Sequence, residues 1–133
     1  MRLDFQSIKP IYLQIAEAIE DDILSGKLPE GCPAYSQLTL SRELSINPAT
    51  AAKGINVLVH NGILIKERGK SMMVAPGARL RLVQFRQEDG LKPLVADLVA
   101  EANKIDLSKD HLLQMIDECY SQHEQFTGGL AHE

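Results

Sequence analysis

The side chains best suited to catalysis or metal binding do not form a catalytic or metal-binding pattern in this sequence. Cys119 and His123 lie four residues apart on a predicted helix and would share a face, but two ligands do not complete a metal site. Cys119 also continues an apolar helical stripe, so we expect it to be a buried core thiol. The sequence contains no HExxH motif, nucleophile elbow or Gly-rich phosphate loop. We therefore expect no enzyme and no metal site, and the sequence indicates no cofactor.

A polar segment near the middle of the chain has side chains of the kind that bind nucleic acid. The apolar residues of a predicted helix over 48–60 repeat on one face, which leaves Thr50, Lys53 and Asn56 on the other. Hydroxyl, ammonium and amide groups contact phosphates and the edges of bases. Asn47 precedes this helix as its predicted N-cap, and we expect a DNA contact there in addition.

The elements that position this segment are predicted from capping residues and apolar spacing. A first helix over 10–25 carries an isoleucine stripe, and the proline- and glycine-rich residues 27–35 form a loop. Ser36 caps a second helix that ends near Leu44, and Asn47-Pro48 starts the third. Two short helices separated by a tight turn are the helix-turn-helix pattern, whose second helix can enter a major groove.

A β-hairpin is predicted directly after these helices. Residues 63–68 and 71–75 are strand-like runs joined at a Gly-Lys turn. Three helices closed by a hairpin form a winged helix. Glycine allows a close backbone approach at the tip, and cations there neutralise phosphate or reach into a minor groove. The predicted tip consists of Arg68, Gly69, Lys70 and Ser71.

Charge is distributed unevenly along the chain. The net charge is -4, but residues 36–76 contain five basic side chains against two acidic ones, which favours contact between that segment and a polyanion. No apolar run approaches the roughly 18 to 20 residues that span a bilayer, so we expect a cytoplasmic protein without membrane contact.

A series of short motifs follows one another from residue 10 to residue 76. They are Pro10-Ile11-Tyr12-x-Gln14-Ile15-Ala16, Ser25-Gly26-Lys27-Leu28-Pro29-x-Gly31, Ser36 with Arg42-Glu43-Leu44, Ile46-Asn47-Pro48-x-Thr50, Gly62-Ile63-Leu64 and Arg68-Gly69-Lys70. In order and spacing these motifs resemble the GntR family of bacterial transcription regulators, and in particular its short YtrA-like branch. The resemblance implies a dimeric DNA-binding repressor with a small two-helix C-terminal part.

Several positions depart from the family pattern. Leu38 stands where an arginine commonly contacts DNA, and Ala51-Ala52-Lys53-Gly54 stands where the family tends to have central arginines. Arginine and lysine are the strongest direct readers of guanine. We therefore expect weaker base readout and a different operator. Gly54 lowers helix propensity by about 1 kcal/mol relative to Ala, which only a close packing neighbour would explain.

Residues 77–133 are predicted to form a helical dimerisation region after a winged-helix domain over residues 1–76. The predicted fold is mainly α with a small β-hairpin (α+β). The two C-terminal apolar stripes cannot bury each other in so short a segment, so a second copy is the simplest cover. Gly90 and Pro93 would kink or break the first of these helices. The predicted dimer interface consists of Leu91, Leu94, Leu98, Val99, Leu112, Leu113, Ile116 and Tyr120.

The sequence therefore predicts a homodimeric repressor that binds a palindromic operator. The sequence leaves room for a small-molecule effector without identifying one. The alternative is a winged-helix protein-interaction module that no longer binds DNA, motivated by Leu38, Ala52 and the net charge. The predicted contacts to double-stranded DNA come from Ser36, Gln37, Asn47, Thr50, Lys53, Asn56, Arg68, Gly69, Lys70 and Ser71.

Overall fold

Helices make up most of the structure, and a short antiparallel hairpin follows the third of them. The computed structural model describes residues 1–67, 69 and 71–127. The first compact unit covers residues 1–87, and the second begins at Glu88. The predicted α+β class with a small hairpin is confirmed. The elements are α1 (Ile11–Leu24), α2 (Gln37–Leu44), α3 (Pro48–His60), β1 (Leu64–Lys66), β2 (Met72–Val74), α4 (Ala78–Phe85), α5 (Lys92–Lys104) and α6 (Lys109–Thr127).

The predicted caps of the helix-turn-helix are confirmed. The Ser36 hydroxyl accepts a hydrogen bond from the Thr39 N–H at 3.0 Å, and the Asn47 side-chain oxygen accepts one from the Ala49 N–H at 2.8 Å. Each bond satisfies a backbone donor that the first helical turn leaves unpaired. These side chains therefore fix where α2 and α3 begin.

The core of the first unit is aliphatic and joins all of its helices to the hairpin. The α1 stripe of Ile15, Ile19 and Ile23 is fully buried, as the sequence predicted. It packs with Leu40 of α2 and Leu58 of α3. Burial of each such side chain contributes on the order of 1.5–3 kcal/mol. The position of α3 is thus set by packing against α1 and α2.

Gly54 lies at a close contact between α3 and α1. A Cβ at this position would stand 2.9 Å from the Tyr12 carbonyl oxygen and 3.0 Å from Ile15 Cγ2. A methyl group cannot fit against a backbone oxygen at that distance. The close neighbour that would explain this glycine is therefore present.

The hairpin is shorter than predicted, and the loop before α2 extends its sheet. Leu64 pairs with Val74 and Lys66 pairs with Met72. The loop was expected to lack regular structure, but Pro33 forms an isolated bridge with Met73, and the Ala34 N–H donates to the Met72 carbonyl at 2.7 Å. An extended third segment therefore covers the free edge of β2, which the proline-rich composition concealed.

α4 belongs to the first compact unit, although the predicted division fell after residue 76. Ala78 and Leu82 are buried in the same core as α1. Arg86 forms ion pairs with Glu20 at 2.9 Å and with Asp21 at 2.8 Å. These contacts attach α4 to α1, while the assignment of functions to residues 1–76 and 77–133 stays a prediction.

The second unit contains α5 and α6 after a π-helical turn over Arg86–Leu91. Gly90 lies inside this wider turn of helix, and Pro93 lies just after it in the first turn of α5. Ser108 caps α6, because its hydroxyl accepts a hydrogen bond from the His111 N–H at 3.1 Å, as predicted. Within this unit Ala102 alone of the described residues is buried.

Candidate nucleic-acid interface

The outward face of α3 carries the predicted polar side chains. Asn47, Lys53 and Asn56 are exposed, whereas Thr50 is half-buried. Ala51, Gly54, Ile55 and Leu58 occupy the opposite, buried face. The helix thus presents two amides and one ammonium group to solvent on an otherwise packed element.

The Lys53 ammonium is held by an aromatic ring that the sequence analysis did not associate with it. Its Nζ lies over the Tyr12 ring, 4.2 Å from the ring centroid. An exposed cation–π contact of this kind contributes about 0.5–1 kcal/mol. Tyr12 of α1 therefore restricts where this cation of α3 can lie. The periodicity of α1 gave no signal for it, because the contact joins residues 41 positions apart.

A cleft of about 390 Å3 lies between the start of α2, α3 and the hairpin. It brings together four of the predicted contact residues, namely Ser36, Gln37, Asn56 and Ser71. Lys66 also lines the cleft, although it was not among the predicted contact residues. Asn47, Thr50 and Lys53 do not line the cleft.

The lining of this cleft is apolar in part, which the predicted site did not include, and we call this apolar part the floor. Leu38 of α2, Ala52 and Ile55 of α3 and Met72 of β2 line it beside the polar groups. From the sequence, Leu38 and Ala52 were expected to be positions of lost contacts and were a reason for the alternative without DNA binding. No pattern within one element places them together, since the three elements meet only in the folded chain.

The tip of the wing is described in part. Gly69 is exposed with φ 74°, a left-handed conformation that glycine adopts without strain, and Ser71 is exposed. Arg68 and Lys70, both predicted to contact DNA, lie outside the described residues. The predicted turn at Gly69 therefore agrees with the structure, while the roles of its cations stay predictions.

Tyr35 attaches the start of α2 to α1. Its hydroxyl donates a hydrogen bond to Asp22 Oδ2 at 2.8 Å. This bond, together with burial and the negative charges of Asp22 and Glu43, raises the pKa of Tyr35 to about 12. Because Tyr35 directly precedes the Ser36 cap, the bond fixes the entry into α2 and thereby one wall of the cleft.

The predicted dimer residues of the second unit expose apolar surface in the single chain. Leu112 and Ile116 are half-buried, and the remaining six are exposed, with Leu94 63% and Tyr120 68% accessible. An open groove of about 360 Å3 is lined by residues of α5 and α6. The groove includes Leu98, Val99, Leu112, Leu113 and Ile116, but not Leu91, Leu94 or Tyr120.

The prediction of a buried Cys119 is wrong for the single chain, because this thiol is exposed. The apolar stripes of α5 and α6 do not enclose each other, so continuing a stripe does not bury the residue. Among the described residues, no group of three or more His, Cys, Asp or Glu side chains is placed to hold a metal ion. Within the same part of the chain, no helix has the length and apolar character needed to cross a membrane.

Two known transcription regulators are similar to this chain over most of its length. The transcriptional regulator YhcF of Bacillus subtilis is 27% identical over 112 residues, which cover 84% of this chain and 91% of the relative. The transcriptional repressor YtrA of the same organism is 28% identical over 114 residues, covering 84% and 86%. No family model matches the chain.

A solved structure of a transcription regulator is also similar to this chain in its three-dimensional fold. The crystal structure of a GntR-family regulator from Bacteroides thetaiotaomicron superimposes with a TM-score of 0.72 at 29% identity. The superposition covers 85% of this chain and 98% of that one. The similarity therefore includes elements of both units as well as the winged helix.

Proposed function

We propose that the chain is a YtrA-like regulator of the GntR family, which binds an operator in double-stranded DNA as a homodimer and represses transcription there. The related proteins support DNA-binding transcription regulation in general. Repression, a palindromic operator and dimerisation are the finer parts of the proposal. A protein with this role would work in the cytoplasm.

The observation that carries the proposal is the exposed polar face of α3. Asn47, Lys53 and Asn56 face solvent there on a helix whose opposite face is buried. A helix of this kind can lie in a major groove, where amides pair with adenine and cations contact guanine or phosphate. The hairpin then lies against the flanking backbone, and the excess of basic residues over 36–76 provides the attraction.

Dimerisation is supported by the apolar surface of the second unit. The open groove between α5 and α6 and the neighbouring leucines would lose contact with water against a second copy. A two-fold dimer presents two copies of α3 to half-sites one helical turn apart, roughly 34 Å. We assign the groove to this contact. A small-molecule effector that binds in the same groove is an additional part of the proposal. The residues that line the groove do not indicate the chemical class of such an effector.

Salt-dependent binding to duplex DNA tests this function against the alternative of a protein-interaction module. We expect the logarithm of the affinity for a selected duplex to fall linearly with the logarithm of the salt concentration. Lys53→Ala should weaken binding and make that slope shallower by about one unit if the ammonium contacts phosphate. Lys104→Ala, which removes an exposed lysine of α5, is the matched control and should leave the slope unchanged.

Two results would contradict the proposal. A slope near zero for the native protein would favour the protein-interaction module, to which the exposed Leu38 and the net charge of -4 point. An equal loss of slope in the Lys53 and Lys104 variants would remove α3 from the interface. Asn56→Ala is expected to change sequence preference rather than the salt slope, because an amide reads base edges.

A further inference from the structure

The apolar floor of the cleft, formed by Leu38, Ala52, Ile55 and Met72, is not explained by a polar DNA interface alone. Leu38 is the second residue of α2, close to the Ser36 cap, and its side chain is 56% exposed. A single exposed leucine on a protein surface requires no explanation. Leu38 differs because it lines the same cleft as three further apolar side chains and is flanked by groups proposed to contact DNA.

The polar groups around the floor define what could occupy the cleft. Gln37 and Asn56 bring amides to it, Ser71 a hydroxyl and Lys66 an ammonium group. The lining described there contains no acidic side chain, and basic residues exceed acidic ones over residues 36–76. This charge favours a polyanion over an acidic or neutral peptide. The occupant we consider is therefore the edge of base pairs in duplex DNA.

Thymine combines the two properties that the cleft can bind. In the major groove it presents a C5-methyl group beside an O4 acceptor, and its adenine partner presents N6 and N7, which pair with the amide of Asn or Gln. Guanine offers no methyl group and is read best by a bidentate Arg or Lys. An apolar floor next to two amides therefore matches T·A pairs more closely than G·C pairs.

We infer that Leu38 and Ala52 form a specificity site that reads thymine methyl groups in the operator. This inference rests on the proposed function, because it requires α3 and the start of α2 to face the major groove. It assigns a direct role to two positions that otherwise represent lost polar contacts. The operator half-site should accordingly contain T·A pairs next to the positions that Gln37 and Asn56 read.

Replacing thymine by uracil tests the methyl contact without altering base pairing. Duplexes bound by the native protein are first selected from a random pool, and each thymine of the selected site is then replaced singly by deoxyuridine. We expect about fourfold weaker binding at one or two thymines, as for loss of one buried methyl contact. Leu38→Ala should bring the ratio of the affinities for the thymine and uracil duplexes toward one.

The control variant is Leu80→Ala, which truncates a leucine of α4 that is 64% exposed and lies outside the cleft. It should keep the full thymine preference. Circular dichroism and urea unfolding verify that both variants remain folded, as expected for exposed side chains. A Leu38→Asn variant, which replaces the apolar group by an amide, should also lose the thymine preference.

The outcomes separate this inference from the proposed function. Salt-dependent binding with equal affinity for uracil and thymine at every position overturns the inference and leaves the DNA-binding function intact. Thymine preference that survives Leu38→Ala and Leu38→Asn unchanged also overturns it. The absence of salt-dependent duplex binding by the native protein overturns both.

Discussion

At the scale of single residues, two side chains near the proposed interface stabilise the fold through hydrogen bonds. Asn47 holds the first turn of α3 through the Ala49 N–H, and Tyr35 holds the entry to α2 through Asp22. A DNA contact at Asn47 would be an additional role of an amide whose other groups face solvent. The two roles can be separated. Capping needs an acceptor oxygen, whereas a negative charge at this position would repel a phosphate.

Asn47→Ala should lower the free energy of unfolding by about 1 kcal/mol, because the N-cap hydrogen bond is lost. Urea denaturation measures this change. The matched variant Asn47→Asp keeps the acceptor and should keep nearly all of the stability. It should nonetheless weaken duplex binding, since it adds a negative charge at the proposed interface. Equal DNA affinity in the Asp variant and the native protein would exclude Asn47 from the contact set.

Tyr35→Phe should destabilise the fold by about 1–2 kcal/mol at pH 8, because the hydrogen bond to the Asp22 carboxylate is lost. The raised pKa of about 12 means that the folded state favours the neutral Tyr35 hydroxyl over the phenolate. That contribution is complete below the unfolded pKa of about 10 and declines as the pH rises toward 12. Urea unfolding of both proteins at a series of pH values should therefore show a narrowing difference. Tyr12→Phe, which keeps its ring, is the control, and a difference that widened with pH would contradict the assignment.

At the scale of elements, the position of α3 depends on how closely it approaches α1. Gly54 allows this approach, although glycine is a poor helix former, because the Tyr12 carbonyl and Ile15 occupy the space of a Cβ. The hairpin depends on a comparable long-range contact, since the segment around Pro33 covers the edge of β2. Both contacts fix the walls of the cleft, so we expect packing changes there to affect DNA binding as well as stability.

Gly54→Ala should destabilise the protein, although alanine favours helix by about 1 kcal/mol. The added methyl group would press on a backbone oxygen, and overpacking of this kind costs about 1–3 kcal/mol. We therefore expect a net loss of up to about 2 kcal/mol in urea unfolding. Gly90→Ala is the control, because a Cβ there meets nothing within 4 Å. If Gly54→Ala were as stable as Gly90→Ala, the close packing of α3 on α1 would not be limiting.

At the scale of the whole molecule, the exposed apolar side chains of the second unit are the surface that the proposed dimer would bury. Leu98 and Leu113 are each more than two-fifths exposed and both line the open groove. Contiguous apolar surface of this kind marks an interaction site. Its burial against a second copy would also double the number of α3 helices presented to DNA, so oligomeric state and affinity should change together.

Leu98→Glu and Leu113→Glu should shift the protein from dimer to monomer in analytical ultracentrifugation, because each places a charge in the proposed interface. Affinity for a two-half-site operator should fall by at least about tenfold, since the second half-site contact is no longer linked to the first. Gln122→Glu adds the same charge on α6 at an exposed polar position and should leave the dimer intact. A native protein that sediments as a monomer at all concentrations would contradict the interface.

The sequence alone determined the features that depend on neighbouring residues. The caps at Ser36, Asn47 and Ser108, the isoleucine stripe of α1 and the turn at Gly69 follow from local side-chain chemistry and spacing, and the structure confirms them. The cap positions and apolar faces also predicted which face of α3 is exposed.

Tertiary structure alone decided the features that join distant parts of the chain. The cleft floor combines Leu38, Ala52 and Met72 from three elements, and the Lys53–Tyr12 contact joins two helices. The extension of the first unit to residue 87, the sheet edge at Pro33 and the exposure of Cys119 belong to the same class. A periodic pattern shows which face of an element is apolar, but the partner of that face is set by packing between residues far apart in sequence.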